Sequence, residues 1–80
     1  MTFEPAAHLL AFVLPISFRK GDVTFVAIRT SERVSIPITA NSRSRHVVST
    51  AQLTKRVWRV GLHWSDGYTQ YQEDKEIVIV

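Results

Sequence analysis

The chain has 80 residues, 45% of them hydrophobic and 21% charged, with a formal net charge of +3. That apolar content excludes a disordered chain, and the length confines residues 1–80 to one small domain near the lower limit for burying its own core. Cysteine is absent, which excludes a disulfide framework or a cysteine zinc site and leaves the redox compartment open.

In chain order, the first element predicted is a strand over His8–Leu14, inside "AAHLLAFVLPISF". No charged residue lies between Glu4 and Arg19. Thirteen residues, nearly all apolar, are nevertheless too few for a membrane-spanning helix, which needs roughly 20. No Lys or Arg precedes the run, so it does not read as a signal peptide either. A buried first strand is expected, with no transmembrane segment in this chain. "RKGD" then places Gly21 at a turn, where positive φ costs glycine nothing. Strands follow over Asp22–Arg29 and Val34–Ile38, and Pro37 assigns the second to a sheet edge because proline cannot donate to the ladder.

"NSRS" reads as a loop, Arg45–Ser49 as a strand, and "STAQLTK" as at most one helical turn. Arg56–Trp64 carries the clearest period of two: Trp58, Val60, Leu62 and Trp64 share a core face, while Val57, Arg59, Gly61 and His63 face out. Asp66-Gly67 is the strongest hairpin signal, and strands are predicted over Gly67–Gln72 and Glu76–Val80. "VTFVAI" and "IVIV" alternate poorly, which predicts strands covered on both faces. Seven short antiparallel strands in one layer would leave an apolar face wet. The fold class expected is therefore all-β, a small immunoglobulin-like β-sandwich, with a small closed β-barrel as the alternative.

Catalytic chemistry finds little purchase. His63, Ser65 and Asp66 are the residue types of a nucleophile–base–orienter set, but they sit at a hairpin end whose turn already explains Ser65 and Asp66. His8, His46 and His63 fall on three different predicted strands without ligand spacing, so no metal site is expected. Glu73, Asp74 and Glu76 around Lys75 read as a solvated turn rather than a tuned carboxylate pair, and the three glycines form no phosphate loop. The chain reads as a non-enzyme without cofactors.

Charge is distributed unevenly. Arg29, Arg33, Arg43, Arg45, Lys55, Arg56 and Arg59 face a single acid, Glu32, in the middle of the chain, giving +6 there and −3 for the ends together. Arg43, Arg45, Lys55, Arg56 and Arg59 form a candidate basic partner-binding surface. Its plainest reading is a solvated sheet face decorated with arginine. A small nucleic-acid-binding β-domain is the rival, with bases stacked on exposed aromatics, although Trp58 and Trp64 lie on the face assigned to the core. A small protein inhibitor is a third reading.

From Gly21 onward the pattern resembles the C-terminal extracytoplasmic domain of the FixH-type proteins, bacterial factors associated with maturation of the cbb3-type cytochrome oxidase. "GDVTFVAIRTSE" looks like that family's Gly-led strand and Arg-x-Ser-acid turn, here Arg29, Ser31 and Glu32. "VSIPI" is similar to its next strand, and "STAQLTKRVWRVGLHWSDGYTQYQEDKEIVIV" to its Trp-Arg-Val strand, second Trp, turn and Glu-Ile ending. The resemblance implies an assembly domain that contacts a membrane oxidase subunit or a copper-handling protein. It also implies a place at the periplasmic face of the membrane for a domain excised from such a protein. It supplies no catalytic residues.

Overall fold

The computed structural model describes residues 1–15, 18–30, 32–39, 44–54 and 56–79. Arg43 and Lys55 of the basic set, Ser31 of the resemblance motif and Val80 of the last predicted strand lie outside the described residues. The strands are β1 (Thr2–Glu4), β2 (Leu9–Val13), β3 (Lys20–Ala27), β4 (Arg33–Ile38), β5 (Arg45–Ser49), β6 (Val57–Ser65) and β7 (Gln70–Val78), with a 3-10 turn at Pro5–Ala7. They form two antiparallel sheets, ordered β1-β2-β5 and β4-β3-β6-β7. The all-β, two-sheet expectation holds. The barrel alternative does not, because the sheets keep their own edges and do not close on each other.

One core joins the sheets. Leu10 and Phe12 of β2 pack in the same cluster as Val23, Phe25 and Ala27 of β3, Trp58, Val60 and Leu62 of β6, and Ile77 of β7. The strand period does this directly, since alternate residues of β3 and β6 share one face and pair across the sheet as Val23↔Leu62, Phe25↔Val60 and Ala27↔Trp58. Trp58 is fully buried, and its indole N–H donates to the Thr54 carbonyl at 3.0 Å, so the ring enters the core without an orphaned donor. His46 of β5 also points inward, stacked on Phe12 and edge-on to Phe18 at 5.7 Å in both cases.

Several expectations are corrected. Trp64 shares the face of Trp58 but is only half-buried; it stacks on Tyr71, its cross-strand partner, with ring centroids 4.1 Å apart. The last two predicted strands are one: β7 runs unbroken from Gln70 to Val78 along the whole of β6. The charged run Glu73–Glu76 belongs to that strand and not to a turn, because an edge strand can carry charge on both faces while its backbone pairs on one side. β1 was not anticipated; three residues before Pro5 are too few to show a period. His8 precedes its strand instead of opening it, with φ of 54° and its N–H donated to the Pro5 carbonyl.

Gly21 serves close approach and not a turn. It lies inside β3, opposite Trp64, where an added Cβ would sit 2.5 Å from the His63 carbonyl oxygen and 2.9 Å from the Trp64 Cβ. The poor alternation of "VTFVAI" and "IVIV" also has another cause than double cover. Their outward residues are left in water, as Ile28 (46% exposed) and Val78 (53%) show.

Removing the Trp58 ring should cost about 3–5 kcal/mol, comparable with the entire stability of an unstapled domain this small. Trp58→Ala should therefore be largely unfolded at 25 °C by circular dichroism. Trp64→Ala should remain folded, with a loss on the order of 1–2 kcal/mol in a urea titration. Gly21→Ala should cost about 1–3 kcal/mol, because backbone rather than a flexible side chain blocks the new methyl group.

Candidate functional site on the outward face of the four-stranded sheet

The three described members of the basic set part company in the fold. Arg45 stands on the outward side of the three-stranded sheet, where its guanidinium reaches across β2 to Glu4 on β1 at 3.2 Å. Ala11, on the same face of β2 between Leu9 opposite Glu4 and Val13 opposite Arg45, is only 6% exposed. Arg56 precedes β6 and donates to the Thr30 hydroxyl at 2.9 Å, holding the turn between β3 and β4. Of the three, only Arg59 has no hydrogen-bond or ion-pair partner among the described residues; it projects from the outward face of β6, with Val26 and Glu76 as its cross-strand neighbours. Arg45 and Arg59 thus lie on opposite sides of the molecule.

The outward face of the four-stranded sheet has two distinct ends. At one, Ile28, Val57 and Val78 line up across three strands, joined by the Ile28 N–H to Val57 carbonyl bond and the Val57↔Val78 pairing. All three are exposed, Val57 at 37%. The next row along the same face runs Arg33, Val26, Arg59, Glu76. An aliphatic strip bordered by two guanidinium groups results, built from the residue that follows β3 and from the ends of β6 and β7. Arg33 and the three aliphatic residues were missed as a site by sequence reasoning. For Ile28 and Val78 the signal is the broken alternation, which reads as burial; Val57 already reads as outward-facing, and Arg33 lies outside both runs.

The other end is polar. Asp22 and His63, paired across β3 and β6, approach to 3.5 Å with both side chains half-exposed. With Lys20, Ser65, Gln70 and Gln72 they border an open groove of about 420 Å³. Between the two ends, Gly61 leaves a low point beside Thr24 and Asp74, with the Thr24 and Ser35 hydroxyls hydrogen-bonded at 3.1 Å.

His63, Ser65 and Asp66 do not converge. The Ser65 hydroxyl accepts from the Gly67 N–H at 3.0 Å, and one Asp66 carboxylate oxygen accepts from the N–H groups of Tyr68 and Thr69, both at 2.8 Å. Gly67, with φ of 98°, completes this loop in the left-handed region that favours glycine. Ser65 and Asp66 therefore build the hairpin turn, while His63 faces Asp22. His8, His46 and His63 are likewise apart: one in a turn, one against Phe12, one on the outward face. Among the described residues no three His, Asp or Glu side chains gather as a metal site would require. Among the described residues no helix is long and apolar enough to cross a membrane.

The N–H of Thr69, then that of Tyr68, holds the Asp66 carboxyl below its ordinary value, and the Tyr71 hydroxyl adds to this. A depressed carboxyl stabilises the fold fully above the pKa of the unfolded chain, and the contribution is lost as pH falls through the folded value. The amide resonances of Tyr68 and Thr69 should accordingly titrate together, with a midpoint below that of an unperturbed aspartate. The stability gap between the wild type and Asp66→Ala should close over the same acid range.

Compared with known protein families, with curated proteins and with solved structures, the chain matches none.

Proposed function

We propose that this chain is a non-enzymatic protein-interaction domain that docks through the aliphatic end of its four-stranded sheet. The observation that carries the reading is the exposed row Ile28, Val57 and Val78 beside Arg33 and Arg59. Exposed aliphatic side chains aligned across three strands cost solvation in the free protein, and a partner that covers them recovers it. The flanking arginines favour a partner that is apolar at its centre and acidic at its rim, since arginine contributes both area and charge at interfaces.

The finer fold reading supports a recognition role. The chain crosses between sheets after β2, β4 and β5, and a three-plus-four division of seven strands is the arrangement of an immunoglobulin-like sandwich. Here β4 lies beside β3 and not beside β5, unlike the constant-type arrangement. The resemblance to FixH-type domains gives the partner its specific form: an oxidase subunit or a copper-handling protein met at the periplasmic face of a membrane, during assembly and without turnover.

The test is binding to cbb3-type oxidase subunits held in detergent, wild type against Val78→Glu and Arg59→Glu. Each substitution should weaken binding about tenfold or more, or ~1.4 kcal/mol, with thermal stability unchanged. Absence of binding at tens of micromolar retires the oxidase role. Binding to short single-stranded DNA or RNA with a log–log salt slope of several units would overturn the protein-docking reading in favour of nucleic acid.

A further inference from the structure

We infer that β7 is a self-complementary edge through which two copies of this chain pair antiparallel, about a two-fold axis at Asp74. The inference concerns the sheet edge and not the docking face; the two meet only at Val78, whose outward side chain would stand beside Gln70 of the second copy.

β7 is the last strand of its sheet, and among the described residues nothing pairs with its free side. Its register against β6 is continuous over all nine residues, from Ser65↔Gln70 to Val57↔Val78. At the two ends of this ladder, the Ile79 N–H donates to the Arg56 carbonyl at 3.0 Å and the Asp66 N–H donates to the Thr69 carbonyl at 3.3 Å. Odd-numbered residues therefore turn their backbone groups toward β6. Backbone groups alternate along a strand, so Gln70, Gln72, Asp74, Glu76 and Val78 present theirs to the open edge. A second strand must meet those five residues with an equivalent set, so even-numbered residues pair with even-numbered ones.

Only certain registers satisfy this, and the charges choose among them. With the axis at Asp74, Gln70 meets Val78 of the second copy and Gln72 meets Glu76, so all nine residues overlap. On the core-facing side, Glu73 then falls opposite Lys75, and Lys75 opposite Glu73, in the positions where facing side chains come closest. Tyr71 falls opposite Ile77. Moving the axis to Glu73 or to Lys75 places like charges on the axis, and the second also sets Asp74 against Glu76. The Asp74 register has one unfavourable contact, Asp74 against itself, and that carboxylate already accepts from the Gln72 side-chain amide at 3.1 Å. Glu73 and Lys75 hold exposed contacts to the Met1 amine and carbonyl at 3.4 and 3.3 Å. Such exposed contacts are worth little, and pairing can exchange them. The result is an isologous interface formed by strand addition, which extends four strands to eight.

Because the chain has no cysteine, one introduced thiol reads the register unambiguously. In a hydrogen-bonded antiparallel pair the Cα atoms lie about 5.5 Å apart, within disulfide range. Under mild oxidation Asp74→Cys should cross-link to a covalent dimer. Gln72→Cys and Glu76→Cys should not, since in this register each is offset from its own copy by four residues, roughly 13 Å. Sedimentation of the uncross-linked chain, without any partner, should show a concentration-dependent dimer. Lys75→Glu should shift it to monomer, Glu73→Lys with Lys75→Glu should restore it, and Asp74→Asn should tighten it several-fold. Circular dichroism confirms that each variant is folded. A monomer up to millimolar concentration, cross-linking at position 72 or 76 in preference to 74, or a dimer indifferent to Lys75→Glu would overturn the pairing. None of these outcomes depends on whether the outward face binds an oxidase subunit.

Discussion

The burial of one face of β6 is the constraint from which the rest follows. Trp58, Val60 and Leu62 are removed from water together, and they can be so only if a second layer covers the sheet that holds them. Leu10 and Phe12 of β2 supply that cover, with Phe18 and Leu53 sealing the flanks. The Trp58 ring brings a polar N–H into this space, and the carbonyl of Thr54 in the loop before β6 accepts it. The loop is therefore tied to the core by the same residue that most needs the core. In an unstapled chain of this length the free energy from that burial is the main opponent of chain entropy.

Cover by three strands is incomplete for a sheet of four. Ile77 is the only residue of β7 that is buried, and the core-facing Glu73 and Lys75 remain in solvent with the Met1 backbone beside them. β7 consequently behaves as two strands in one: apolar where the smaller sheet reaches, charged where it does not. The outward side of the four-stranded sheet has no second layer over it among the described residues. Most of that side is polar, as solvation requires, with hydroxyl, carboxylate and imidazole groups satisfying one another across strands. The Ile28–Val57–Val78 row breaks the rule, and nothing among the described residues covers these aliphatic side chains. The proposed binding role would account for them.

Basic charge that is clustered in the sequence is spread out in the fold, as far as the described residues go. Seven cations against one acid in the middle of the sequence suggested a single electropositive face. The fold spends Arg45 on Glu4 and Arg56 on Thr30, in separate structural duties, and leaves Arg59 beside Arg33 across the half-buried Val26. Strand crossings between the sheets separate neighbours in sequence, and pairing between β3, β4 and β6 unites residues far apart in it. Composition carries no record of either.

What the sequence determined by itself is local and periodic. The alternation of Arg56–Trp64 marked the inward face, Asp66-Gly67 marked the hairpin, and Pro37 marked β4 as an edge, because each depends on covalent geometry or on a spacing of two. What only the tertiary structure decided is cover. Trp58 and Trp64 are identical side chains on one face of one strand, yet the first is fully buried and the second rests half-exposed on Tyr71. The extent of the opposing sheet sets that difference. Val26, Ile28 and Val78 likewise read as buried in the sequence and stand outward in the fold, since a run of apolar residues looks the same whether a second layer covers it or water does.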